Sequence, residues 1–271
     1  MVIETNAYIG HWPVRQLKHN TANGLLELMD RKKIDKAIVS STHSIFYRNC
    51  LAGNLEFAEE VKGLEDRLIP FATLNPNYPG WKSDLKQCVE ELGMKGLRLH
   101  PYYHDYGMGD GKCRELVDAA TEYGLPVSVS IAMEDQRQRH WLVELPQVTD
   151  SDGANTQMIN AIEGSPEATF ILLTMGYSGF SGYNHQRILQ ETEPKEGRLF
   201  FAITNLPLTP DEEGAKSVRE IGIEKVVFAS QMPFKYPEVS FLRVESLPLA
   251  PEEKERIYSR NIMELLGTPL A

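Results

Sequence analysis

Short apolar runs alternate with longer amphipathic ones from one end of the chain to the other. The short runs are VIETNAYI, KAIVSS, LIPFATL, KGLRLH, PVSVSI, TFILLT, LFFAIT and KVVFAS, each six to eight residues. That length and their Val, Ile and Phe content predict buried strands. Between them lie segments with a helical period: ANGLLELMDRKK, AGNLEFAEEVKGL, GWKSDLKQCVEEL, CRELVDAATEYG, TQMINAIEG, NHQRILQET and EEGAKSVREIG. The period is faintest in TQMINAIEG and NHQRILQET, and APEEKERIYSRNIMELLG follows the last strand. Eight strands, each followed by a helix, predict an α/β fold of the (β/α)8 barrel type, one domain over residues 1–271. An open doubly wound sheet is the rival, but no GxGxxG follows the first strand.

Strand alternation then assigns an interior. Glu4, Asn6 and Tyr8 share one face of the first strand, and Arg98 and His100 share one face of the fourth. Ser128 and Ser130, Ala202 and Thr204, and Ala229 and Gln231 follow in the fifth, seventh and eighth. This interior is polar where such barrels are usually filled by Val, Ile and Leu. A buried Glu4–Arg98 ion pair with a structural role is the expectation, because buried charges are kept in pairs. The longest irregular stretches, MEDQRQRHWLVELPQVTDSDG and YSGFSGYNH, follow the fifth and sixth strands, at the end where barrel enzymes build their sites.

Composition narrows the partners. The net charge of −10 argues against nucleic acid or an anionic membrane surface. No apolar run reaches membrane-spanning length and no leader precedes the first strand, so a soluble cytoplasmic protein acting on a small molecule is expected. Cys50, Cys88 and Cys113 are odd in number and lack CxxC spacing, which predicts buried thiols. Nothing in the sequence speaks to oligomeric state.

NAYIGHWP at the first strand, GMKGLRLHP at the fourth, GLPVSVS at the fifth, FASQMPF at the eighth and RNIMELLG near the end together resemble the amidohydrolase-related TIM barrels. That group contains metal-dependent hydrolases and decarboxylases. The resemblance implies a zinc or similar ion held at the strand ends. It places the His-x-His of the first strand on Asn6 and Tyr8, the strand-five histidine on Ser130, the strand-six histidine on Thr174 and the strand-eight aspartate on Gln231. All five are polar and none is His, Asp, Glu or Cys. Zinc binds neutral amides and hydroxyls poorly, so no cofactor is expected at the inherited site.

The remaining chemistry centres on LHPYYHDY. His100 at the strand end suits acid–base work, and the phenols of the following loop can donate to a developing oxyanion. Expected catalytic residues are His100, Tyr8 and Glu134, the last in a charged loop with Asp135, Arg137 and His140. Expected ligand contacts are Asn6, Trp12, Tyr102, His104, Ser130 and Gln231. Packing of the tyrosines on the rim and solvation of the charged loop are the plainer alternatives. Two other functions stay open. One is a metal-dependent hydrolase or decarboxylase with zinc on a rearranged set, His100, His104, Glu134 and His140, whose spacings are read as matching no helical His-x3-His pattern. The other is a non-catalytic binding or scaffold barrel. Neither a GxSxG elbow nor a P-loop occurs, which argues against serine hydrolysis and phosphate chemistry.

Overall fold

The computed structural model describes residues 1–131, 133, 151–174, 184–192, 197–206 and 208–267. The strands are β1 (Ile3–Ile9), β2 (Lys36–Ser41), β3 (Leu68–Pro70), β4 (Ala72–Thr73), β5 (Leu97–Leu99), β6 (Val127–Ser130), β7 (Phe170–Thr174), β8 (Leu199–Ala202) and β9 (Val226–Val227). All neighbouring pairs are parallel, in the order β1-β2-β3 and β4 through β9. One expected strand, LIPFATL, is split at Phe71, and the eighth is shorter than its apolar run. Backbone hydrogen bonds join the ends: Thr5 N donates to Phe228 O (3.1 Å) and Tyr8 N to Met232 O (3.0 Å). At the split, Phe71 N donates to Val39 O and Ala72 N to Gly96 O. The protein is thus a closed (β/α)8 barrel.

The sequence explains the split. Asn54, on the helix Cys50–Val61, reaches the buried end of β4 with its amide. Its Nδ2 donates to Thr73 O (2.8 Å) and its Oδ1 accepts from Thr73 N (3.1 Å), so a side chain does the work of a neighbouring strand. Gly53 lets that helix approach, since a Cβ there would sit 2.6 Å from Ser44 N.

Helices occupy the intervals as expected, including the two with the faintest period, at Ser151–Gly164 and His185–Glu191. Ala22–Lys32 is typical of the outer layer. Thr21 caps it by accepting from Gly24 N, and Ala22, Leu25, Leu28 and Met29 bury one stripe. After β9 the chain closes the bottom of the barrel. A π turn at Arg256–Arg260 presents Ile257 O to Phe228 N (2.9 Å), and Asn261 Nδ2 donates to Ile223 O and Val226 O. No helix among the described residues is long and apolar enough to cross a membrane.

Alternate strand positions sort into two apolar clusters. Ala37, Val39, Leu97, Leu99, Val127, Val129, Phe170 and Leu172 face the helices. Ile3, Ile38, Phe71, Ile171, Leu173, Phe200, Ala202, Val227 and Ala229 fill the lower barrel, beneath which sit Ile262 and Met263. A bulge in β1 between Glu4 and Ala7 lets both Ile3 and Tyr8 face inward, which strict alternation forbids.

Candidate functional site

Above the apolar plug the barrel turns polar. Arg98 on β5 is fully buried. Its Nη1 donates to Ala7 O (2.8 Å), its Nη2 to Thr5 O (2.9 Å) and Ile38 O (3.4 Å), and its Nε to Ser128 Oγ (3.2 Å). The first two carbonyls lie on β1 at its bulge, and Ile38 lies on β2. Glu4 is equally buried, and one of its carboxylate oxygens accepts from both Asn6 N and Ser230 N (2.8 Å each), tying β1 to the segment after β9. The expected Glu4–Arg98 ion pair is therefore replaced by two separate attachments to backbone. The bulge moves Glu4 out of simple phase and gives Arg98 nearer acceptors. Burial raises the Glu4 carboxyl above its ordinary range, against the opposing hydrogen bonds from Ser230 and Asn6 and the charge of Arg98.

Tyr8 lies over this layer, its ring 4.7 Å from the Arg98 guanidinium carbon. Its hydroxyl shares a hydrogen bond with Ser130 Oγ at 2.9 Å. Burial raises the phenol's pKa in spite of Arg98, so it stays protonated near neutrality.

His100 ends β5, and its ring stands 6.1 Å from that of Tyr8 between centroids. It is 0 % exposed, and neither ring nitrogen has a hydrogen-bond partner. Burial, then His104, then Arg98 hold its pKa well below the usual imidazole value, so the ring is neutral at pH 7. His104 N donates to His100 O (3.1 Å), making one α-turn of residues 100–104. These two histidines thus do have the His-x3-His spacing, with ring centroids 6.3 Å apart. The expectation of no such spacing is thereby corrected for this pair. His104 Nε2 lies 3.0 Å from Ile45 O, which accepts its proton and leaves Nδ1 as an unpartnered acceptor. Burial lowers the His104 pKa as well.

Asn6 is 0 % exposed, with neither amide atom of its side chain partnered. Gln231 donates through Nε2 to Met133 O, while its Oε1 is unpartnered. Its backbone has φ 65°, a left-handed conformation rare for glutamine and often kept where a side chain must be aimed. Trp12 belongs to an aromatic cluster above this floor. Its ring meets Phe234 at 4.8 Å, Phe46 at 5.0 Å and Tyr103 at 6.0 Å, all edge to face.

Of the expected site residues, the structure therefore brings Asn6, Tyr8, Trp12, His100, His104, Ser130 and Gln231 to one end of the barrel. Tyr102 lies apart from them. The turn that starts at His100 directs it outward, where it packs on the helix-side core and lines a separate groove of about 420 Å³ with Asp105 and Gln157. Its neighbour Tyr103 takes the inward place, accepting from Met133 N (3.1 Å) through its hydroxyl. An extended reading of HPYYH hides this; the helical turn reverses which tyrosine faces in. Phe234 was also missed, although its place three residues after Gln231 was a signal. Glu134, Asp135, Arg137 and His140 lie outside the described residues, as does the side chain of Thr174.

Residues 11–268 match the profile of the amidohydrolase family. The chain belongs to that family. No curated protein matches it in sequence at a significant level. Similar solved structures include a candidate amidohydrolase from Staphylococcus aureus, with 17% identity, TM-score 0.72 and coverage of 98% of this chain and 99% of that one. A 5-carboxyvanillate decarboxylase from Sphingomonas paucimobilis has 14% identity, TM-score 0.70 and 99% coverage of both chains. A dihydroxybenzoic acid decarboxylase from Polaromonas, solved with manganese and 2-nitroresorcinol, has 14% identity, TM-score 0.70 and coverage of 98% and 96%. At these identities the likeness is one of fold. Among the described residues of this amidohydrolase barrel, no three His, Cys, Asp or Glu side chains gather as a metal-holding group.

Proposed function

We propose that this chain is a small-molecule enzyme or binder of the amidohydrolase barrel that works without the family's inherited metal site, residues 1–271 acting as one domain. The observation that carries the reading is a set of buried groups without partners: both nitrogens of His100, both amide atoms of Asn6 and Oε1 of Gln231. An unpartnered buried polar group costs about 1–3 kcal/mol, and folded proteins keep few of them without a reason. Several at the C-terminal end of one barrel are best understood as recognition groups for a ligand. His100, neutral and unpartnered, is placed to accept a proton, and Tyr8 to donate through its hydroxyl. Glu134, in the loop after β6, is proposed as a further acid or base. Asn6, Trp12, His104, Ser130 and Gln231 are the proposed ligand contacts, with Tyr103 in the place first given to Tyr102.

The donor set does not fit a resident zinc or manganese ion. Tyr8 and Ser130 bond to each other, Asn6 and Gln231 offer neutral amides, and the Arg98 charge lies against the Tyr8 ring. A divalent cation prefers imidazole, thiolate or carboxylate, and a fixed positive charge below it opposes binding. Protein grown with zinc and manganese and purified without chelator is therefore expected to hold well under one ion per chain. Near-stoichiometric metal among Asn6, Tyr8, Ser130, Thr174 and Gln231 sinks the proposal. Conversely, Asn6→His, Tyr8→His, Ser130→His, Thr174→His and Gln231→Asp together should raise zinc affinity well above that of the native chain.

A second reading is a metal-dependent hydrolase or decarboxylase with a rearranged site. The one-turn spacing of His100 and His104 favours it, and the similar decarboxylases point the same way. Two imidazoles fall short of the about four donors zinc takes. Glu134 and His140 would have to supply the rest. Metal found at His100 and His104 would select this alternative.

A further inference from the structure

The helix Pro237–Glu245 carries apolar side chains on two faces. Pro237, Ser240 and Val244 are buried, and Phe241 meets Phe228 and Tyr258 with ring centroids 4.7 and 5.8 Å away. On the other side Tyr236, Val239 and Leu242 recur every third residue. They are 79, 59 and 70 % exposed, the three most exposed large apolar side chains among the described residues. One apolar stripe is enough to hold a surface helix down, and this second stripe is left in solvent. Beside the last turn of the same helix lies a groove of about 390 Å³, lined by Leu208, Pro210, Arg243, Ser246 and Leu247 among others. A ridge and a groove thus occupy opposite ends of one helix face. A two-fold contact requires this arrangement, because what protrudes at one end must be accepted at the other.

We propose that this face pairs with itself, two copies of the chain packing their Pro237–Glu245 helices antiparallel about a two-fold axis. At about 100° per residue, Val239 and Leu242 point from the centre of the stripe, with Tyr236 and Arg243 on one flank and Glu238 and Glu245 on the other. An axis level with the Ser240–Phe241 peptide sets Val239 against the partner's Leu242, and Leu242 against the partner's Val239. The same rotation turns each flank toward its own counterpart. Tyr236 then enters the groove between the partner's Arg243 and the partner's Leu247, ring against guanidinium. Arg243 is already fixed for this by its bond to Leu206 O. On the other flank Glu238 is held by Lys32, and Glu245 by Lys254 and Tyr258, so no unpaired like charges are brought together. The stripe presents on the order of 400 Å² of apolar surface. A standard interface buries about 800 Å² per partner, a little over half of it apolar, so the stripe supplies the apolar part and the groove walls and charged flanks the rest.

The test is the mass of the full chain by sedimentation velocity at about 1 to 100 μM. A dimer is expected, dissociating only toward the lower end. Val239→Lys and Leu242→Glu each set a charge against an apolar side chain and should raise the dissociation constant at least about tenfold. Both positions are more than half exposed, so each variant should keep the native circular dichroism. Tyr236→Ser, which empties the groove without adding charge, should also cost about tenfold or more. Mixing the Val239→Lys and Leu242→Glu chains sets the introduced lysine against the introduced glutamate and leaves a Val239–Leu242 contact on the other side of the axis. A heterodimer should therefore return to within about threefold of the native affinity. A native chain that is monomeric throughout overturns the proposal, as does a dimer that none of the three substitutions weakens. Single variants that lose the dimer and fail to recover it on mixing overturn the antiparallel pairing.

Discussion

Two adjacent layers inside this barrel are equally buried and almost equally polar, yet they differ in one respect. In the lower layer Arg98 and one carboxylate oxygen of Glu4 are bonded to backbone groups from several strands, and only Glu4 Oε2 lacks a partner. In the upper layer Asn6, His100 and Gln231 keep polar atoms with no partner at all. Burial alone would mark both as a candidate site. Partnering separates them by degree: the lower layer is tied to backbone groups with one carboxylate oxygen left over, whereas in the upper layer five side-chain atoms are left over. A buried polar residue in a barrel is thus informative about function only after its hydrogen bonds have been accounted for.

The largest expected effect tests the lower layer. Arg98→Met keeps an unbranched apolar stem but removes the guanidinium and strands the carbonyls of Thr5, Ala7 and Ile38 inside the protein. At about 1 kcal/mol or more for each orphaned acceptor, the variant should lose roughly 3 kcal/mol of stability in urea unfolding. Arg98→Lys should recover only part, because an ammonium cannot span the same acceptors. A loss below about 1 kcal/mol would remove the distinction between the layers.

The barrel itself was legible in the chain because its evidence is periodic: each strand is an apolar run buried on both faces, and each helix carries one stripe. The details that place the site are not periodic. The β1 bulge moves Glu4 out of phase, and strict alternation has no way to signal it. HPYYH looks like a strand end followed by a loop, and only the His104 N to His100 O bond shows which tyrosine turns inward. Asn6, Tyr8, Ser130 and Gln231 were found through their neighbours in the family motifs. Tyr103 and Phe234 have no such chemistry to announce them, and aromatic side chains on a rim read as ordinary packing until their contacts are known.

A second experiment isolates the upper layer by pH. His100 has its folded pKa below the unfolded value of 6.5, so the folded chain binds fewer protons than the unfolded one at acid pH. Its contribution is present above pH 6.5 and is lost as pH falls below it, by up to about 1.4 kcal/mol per pH unit. His104 and His185 act in the same direction, while Glu4, with its pKa raised, favours the fold as pH falls toward 4.5. His100→Asn should therefore flatten the fall in stability between about pH 6.5 and 5 by close to one proton's worth. Equal slopes in both proteins would mean that His100 is not held neutral by its surroundings.

The smallest expected change is the most direct contrast with Arg98. Asn6→Leu replaces a fully buried side chain, so a structural role would make it costly. If the Asn6 amide is unpartnered in the free protein, its removal breaks no hydrogen bond and relieves the burial of two polar atoms. Leucine has the same branched shape but is larger, so some overpacking is added. The relief of two buried polar atoms and the overpacking should nearly cancel, so stability should change by no more than about 1 kcal/mol in urea unfolding. A loss of more than about 2 kcal/mol would place Asn6 with Arg98 and Glu4, as a residue that holds the barrel together, and would leave His100 and Gln231 to carry recognition alone.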